Sequence, residues 1–178
     1  MKKVKQFLWL CSCIMIAACS NDDTTEPQKL ESKDMIALSY EGKHFEFKDI
    51  SYGRVIDLNK NNEVVGMVAT SEIVIDEKHK NRIHFSFRTD FKSYVELDGV
   101  EFTPFKENPN NPDNIVGYVY KYADNEYATP FFINNLKIEN GRITGTFEGD
   151  LHRGIDYTLE PVHLSSGKID IEAKATND

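Results

Sequence analysis

An all-β fold, an antiparallel two-sheet β-sandwich of about ten short strands, is predicted by three observations. From Met35 onward apolar residues recur with a period of two, the spacing of a half-buried strand. Short polar or glycine-bearing pairs, Glu41-Gly42 and Asn140-Gly141 among them, separate those runs as hairpin turns do. No stretch of ten or more residues carries a helical apolar stripe.

The chain opens on a different kind of segment. Lys2, Lys3 and Lys5 precede a short apolar run, Phe7 to Ile16, and small residues Ala17-Ala18 precede Cys19. A positive region, a short apolar run and small residues make a secretory signal. The run is about ten residues, and a spanning helix needs about 20. Ile16-Ala17-Ala18-Cys19 resembles the lipobox of bacterial lipoproteins. An ordinary secretory signal needs small residues one and three places before the cut, and Ile16 does not suit it. The resemblance implies that residues 1–18 are removed, that Cys19 becomes the new N-terminus, and that its thiol and amine are acylated, palmitate being one such chain. Two or more acyl chains hold a protein to a membrane stably, where one does not.

Beyond Cys19 comes Ser20, not the Asp that resembles an inner-membrane retention signal. Asp22 and Asp23 then resemble the acidic export signal of surface lipoproteins of the Bacteroidota type. Asp23-Thr24-Thr25 resembles the O-glycosylation motif of that phylum, with Thr24 as the candidate glycosylation site. These resemblances imply a lipid-anchored protein of the outer membrane that faces the cell exterior.

Residues 19–33 are predicted to be the acylated cysteine and a disordered acidic tether. Positions 20–33 hold one large apolar residue, Leu30, too little to drive ordering. Fully extended they reach about 45–50 Å at about 3.4 Å per residue. Residues 34–178 form a single all-β domain of ordinary size. The chain carries a net charge of −8, and loss of Lys2, Lys3 and Lys5 leaves −11. That balance excludes a nucleic-acid partner and a surface that lies flat on anionic lipid. Cys11 and Cys13 leave with the signal, so the domain has no disulfide to draw on.

Within the domain, Met35–Tyr40 and Lys43–Phe47 flank Glu41-Gly42. A two-residue turn sets Leu38 opposite Phe45 and Ile36 opposite Phe47. Tyr52–Leu58 and Glu63–Ala69 follow across a polar Asn-Lys turn, and then a strand at Glu72–Ile75. The polar run 76–81 leads to Arg82–Arg88, with Ile83, Phe85 and Phe87 on one face. Tyr94–Leu97, Asp98-Gly99 and Val100–Phe102 make a third hairpin candidate, which sets Glu96 against Glu101. Lys106–Asn114 reads as a long irregular surface loop. Phe132–Glu139 and Arg142–Phe147 meet across Asn140-Gly141, pairing Ile138 with Ile143 and Glu139 with Arg142. Tyr157–Leu159 and Lys168–Ile171 complete the strands. Successive hairpins also fit a meander β-barrel, calycin-like in form. The run Ile143–Gly149 with Gly167–Ile171 resembles the last strands of small Bacteroidota lipoproteins, a group to which no activity attaches.

Tyr118, Tyr120 and Tyr122 alternate along one strand face, a candidate binding platform for sugar rings or a protein partner, although tyrosine is also an ordinary strand residue. Glu148, Asp150 and His152 share another face, but outward acids on a sheet are usually only solvated. The five histidines show no metal-ligand spacing, so no metal and no cofactor are expected. No nucleophile motif is present, so the chain reads as non-enzymatic. The function expected is binding of a glycan or protein at the cell surface, or a role in envelope assembly. The alternatives are a small glycan hydrolase with paired carboxylates, and a barrel that holds a lipid-like molecule.

Overall fold

The computed structural model describes residues 34–108, 110–122, 131–153 and 160–176, all within one compact unit, Ser32–Asp178. Every regular element among them is a β-strand. The strands are β1 (Met35–Tyr40), β2 (Lys43–Phe47), β3 (Ser51–Asp57), β4 (Glu63–Asp76), β5 (His79–Thr89), β6 (Val95–Asn108), β7 (Asn111–Gly117), β8 (Tyr120–Lys121), β9 (Phe131–Glu139), β10 (Arg142–Arg153) and β11 (Val162–Glu172).

All pairings are antiparallel, and they join the strands into one hydrogen-bonded path: β2-β1-β11-β10-β8-β6-β5-β4-β3. β7 adds to β6 and β9 adds to β10. The two-sheet sandwich thus gives way to a single sheet that curls as a half-barrel, with β2 at one end of the path lying against β4 near the other. A single sheet forms because β8 bonds to both neighbours, through Phe102↔Tyr120 and His152↔Lys121. First and last strands pair, Ile36 facing Ile169.

The alternation of each strand decides which side faces the interior. Ile36 and Leu38, Phe45 and Phe47, Ile83, Phe85 and Phe87, Phe102, Phe147 and Ile169 are all buried there. Their rings pack at preferred aromatic distances: Phe85 and Phe147 lie 5.1 Å apart edge to face, and Phe131 and Phe147 5.7 Å apart. The interior is filled by its own side chains.

Four readings of the sequence change. Asp98-Gly99 is not a turn: it lies inside β6, where Ser86 faces Gly99 and Phe87 faces Leu97, leaving Asp98 as the extra residue of a β-bulge. This register sets Glu96 against Arg88 and Glu101 against His84, so the like-charge pair never forms. Glu72–Ile75 is the second half of β4, and the polar run after it shrinks to a turn at Glu77-Lys78. The long loop at 106–114 is the tip of the β6–β7 hairpin. There the Asn110 N–H donates to Asn108 Oδ1 at 2.9 Å, and Pro112 sits on an edge strand that needs no donor from it. The tyrosine strand is broken: β7 ends at Gly117 and β8 starts at Tyr120.

The two ends of the curl differ. Where the chain enters, Asp34 is buried and satisfied. Tyr52 Oη donates to its Oδ2 at 2.6 Å, the Glu172 N–H to its Oδ1 at 3.0 Å, and Arg142 Nη1 lies 3.2 Å away. The opposite end, where β1 turns into β2, is open.

Candidate functional site

At that open end the inward rows change from apolar to polar. On β2 the row Phe47, Phe45 runs out to Lys43, and on β1 Leu38 gives way to Tyr40. On β5 the row Phe87, Phe85, Ile83 continues to Asn81 and then His79. On β6 Phe102 and Pro104 lead to Lys106. These row ends, with Glu41, Ile75, Asp76 and Phe105, line a hollow of about 180 Å³.

Asn81 is the unusual member. It is 3 % exposed, and its Nδ2 has no hydrogen-bond partner. Its cross-strand neighbours are Ile73 on β4 and Pro104 on β6, and neither side chain can accept a proton. A buried donor left unmatched costs about 1–3 kcal/mol. Ser71, on the inward face of β4 opposite Ile83, also has an unmatched buried Oγ.

The two carboxylates of the rim are fixed by partners. Glu41 sits at φ 49°, in the left-handed region, in the tight turn with Gly42. Lys106 Nζ and Tyr40 Oη both donate to its Oε1 at 2.8 Å. The Lys106 hydrogen bond is the main reason its carboxyl is held below the usual carboxylate range. Asp76 accepts from the Lys78 N–H at 2.8 Å and from His79 Nδ1 at 2.7 Å, and those two bonds, in that order, hold its carboxyl low as well. Both rim acids are therefore ionised and held in place by these donors. The Lys106 ammonium also stands 5.4 Å above the Tyr40 ring.

Behind this ridge of Tyr40, Glu41 and Lys106 lies a second, shallower hollow of about 380 Å³. Tyr120, Glu160 and His163 complete it.

Of the three tyrosines of the expected platform, Tyr118 stands in solvent, while Tyr120 and Tyr122 pack partly buried against the core. Tyr118 is exposed, with the Arg153 guanidinium 3.8 Å from its ring centre. Tyr120 is half-buried against the core and lines the second hollow. Tyr122 packs on Phe131, 5.7 Å between ring centres. Cys19, Asp22, Asp23 and Thr24 lie outside the described residues, as does the strand expected at 157–159. Of the acidic face on β10, Asp150 pairs with His163 and His152 is buried; the described residues hold no group of three such side chains around a common point.

Lys43, His79, Asn81 and Lys106 were not singled out by sequence reasoning. A signal was there: on each strand the row that is apolar along its length ends in a polar residue at the same end of the fold. Seeing it requires knowing which ends meet. Compared with protein-family models, with curated proteins and with solved structures, the chain matches none of them.

Proposed function

We propose that this chain is a lipid-anchored protein of the outer membrane, facing the cell exterior, whose β domain binds a glycan without catalysis. The unmatched Asn81 amide in the wall of the hollow carries the reading. A buried donor with apolar neighbours is costly unless a ligand oxygen answers it. Phe45 and Tyr40 give the hollow apolar walls for the C–H face of a sugar, and its polar rim suits hydroxyl groups.

Placement favours the same reading. The chain enters at Asp34, and β1 carries it about 20 Å to the open end, at about 3.3 Å per residue. A ligand site at that end points away from the entry of the tether proposed to hold the domain. Hydrolysis is less well supported at this site: a glycosidase acid needs a raised carboxyl pKa, and Glu41 and Asp76 are both held low. The filled interior likewise favours a surface site over a buried lipid-like guest.

The test uses the full-length protein, purified in detergent. A glycan panel is expected to show saturable binding with no released product, and labelled palmitate is expected to mark wild type but not Cys19→Ser. No glycan bound, or turnover of a bound one, would overturn the binding reading. Equal labelling of both forms would overturn the anchor.

A further inference from the structure

We propose that the hollow beside Asn81 takes a pyranose that carries a carboxylate, with the carboxylate on Lys43 and a second ligand oxygen on Asn81 Nδ2. The inference depends on the saccharide reading above and narrows it to one chemical class.

The hollow carries two donors that its own carboxylates do not answer, the Lys43 ammonium and the Asn81 amide. Its two carboxylates, Glu41 and Asp76, already accept from Lys106, Tyr40 Oη, the Lys78 N–H and His79. Among the described residues, Lys43 has no carboxylate within ion-pair distance and acts on Glu41 only through space. Strand alternation puts Lys43 on the same face as Phe45 and Phe47, so its stem follows the inward row to the mouth of the hollow. Asn81 presents the second unanswered donor, hemmed in by Ile73 and Pro104. A neutral ligand oxygen can answer Asn81 but leaves the ammonium solvated and unused. A carboxylate answers Lys43 with a charge-assisted bond, the stronger kind.

Size sets the rest. A hollow of about 180 Å³ is smaller than an ordinary ligand pocket of about 300–1,000 Å³ and suits one sugar ring better than a chain. The ligand is thus the end or a side branch of an acidic glycan. Phe45 and Tyr40 form the wall against which the ring's apolar face packs.

The probes are oligogalacturonate, its methyl ester and sialyllactose, titrated calorimetrically into the full-length protein in detergent. The acid is expected to bind at least tenfold tighter than its ester, which has the same shape and no charge. Sialyllactose binding in place of galacturonate would assign the carboxylate to a sialic acid, and the inference would stand. Lys43→Met should cost the acid at least tenfold and leave the ester unchanged, whereas Lys43→Arg should retain most of the affinity. Asn81→Leu should weaken both forms while the melting temperature holds or rises, a combination that a merely structural asparagine would not give. Ester and acid binding alike, or Lys43→Met weakening both equally, overturns the acidic inference and leaves the saccharide reading standing. Failure of every glycan, acidic and neutral, overturns both.

Discussion

An alanine methyl at Gly66 would stand 2.0 Å from the Phe87 carbonyl oxygen, which is backbone and part of the β4–β5 ladder. Nothing flexible can give way there, so the strands must separate. Gly66→Ala is expected to cost about 3 kcal/mol, the upper range for overpacking. Gly99→Ala, where a methyl meets nothing within 4 Å, is expected to change stability by less than about 1 kcal/mol. Urea unfolding midpoints of the two variants decide this; equal midpoints would mean that β4 and β5 absorb the methyl without separating. The need for glycine at 66 is invisible in sequence, because it depends on a carbonyl 21 positions away. Asn81 differs. The row Ile83, Phe85, Phe87 is legible as an inward face, and stepping back two residues puts Asn81 on it. Its significance still depends on Ile73 and Pro104 being its neighbours, which only the register reveals.

Short-range pairing was the most legible level of structure. The β1–β2 hairpin sets Leu38 opposite Phe45 and Ile36 opposite Phe47, as a two-residue turn requires. The β9–β10 hairpin pairs Ile138 with Ile143 and Glu139 with Arg142 across Asn140-Gly141, and both turn residues have positive φ. Each of these is decided by residues within about ten positions. Asp98-Gly99 offered the same local signal and became a bulge, because the β5 row Phe85, Phe87 gains more by burying Val100 and Leu97 on one continuous strand. The unfavourable Glu96–Glu101 pairing was the local warning. The joint between β6 and β10 was not legible at all. It consists of β8, two residues long, with one further backbone bond from the Tyr122 N–H to the Val100 carbonyl at 3.0 Å. So short a joint should open before the long ladders do. In hydrogen exchange, peptides covering Tyr118–Tyr122 are expected to exchange well ahead of those covering Asn81–Phe87. Equal protection would mean that the half-barrel opens as one unit.

The two ends of the half-barrel give the whole molecule its dependence on pH. At the open end Glu41 is held low by Lys106 and Asp76 by the Lys78 N–H; on the outer face Glu72 is held low by Arg82, and in the turn between β5 and β6 Asp90 by the N–H groups of Tyr94, Ser93 and Lys92. A carboxyl depressed by folding contributes stability that is complete above its unfolded value and lost as pH falls through the folded one. Stability should therefore decline below about pH 4–5, where unfolded carboxyls begin to bind protons. The closed end sets the alkaline limit. Burial, and then the hydrogen bond to Asp34, raise the Tyr52 phenol far above its ordinary value of 10.0. The folded protein thus holds that proton more tightly than the unfolded chain does. Its contribution is complete below about pH 10 and drains away as pH rises towards the folded value. Tyr52→Phe removes both the proton and the donor to Asp34, which keeps the Glu172 N–H and Arg142. The variant should lose about 1–2 kcal/mol at neutral pH, the worth of a hydrogen bond to a charged group. It should also decline less steeply than wild type above pH 10. Urea unfolding of both proteins from pH 7 to 11 measures the two effects together. The curves should converge as pH rises; curves that stay parallel would show that Tyr52 titrates alike in the folded and unfolded chain, and that the closed end owes nothing to its proton.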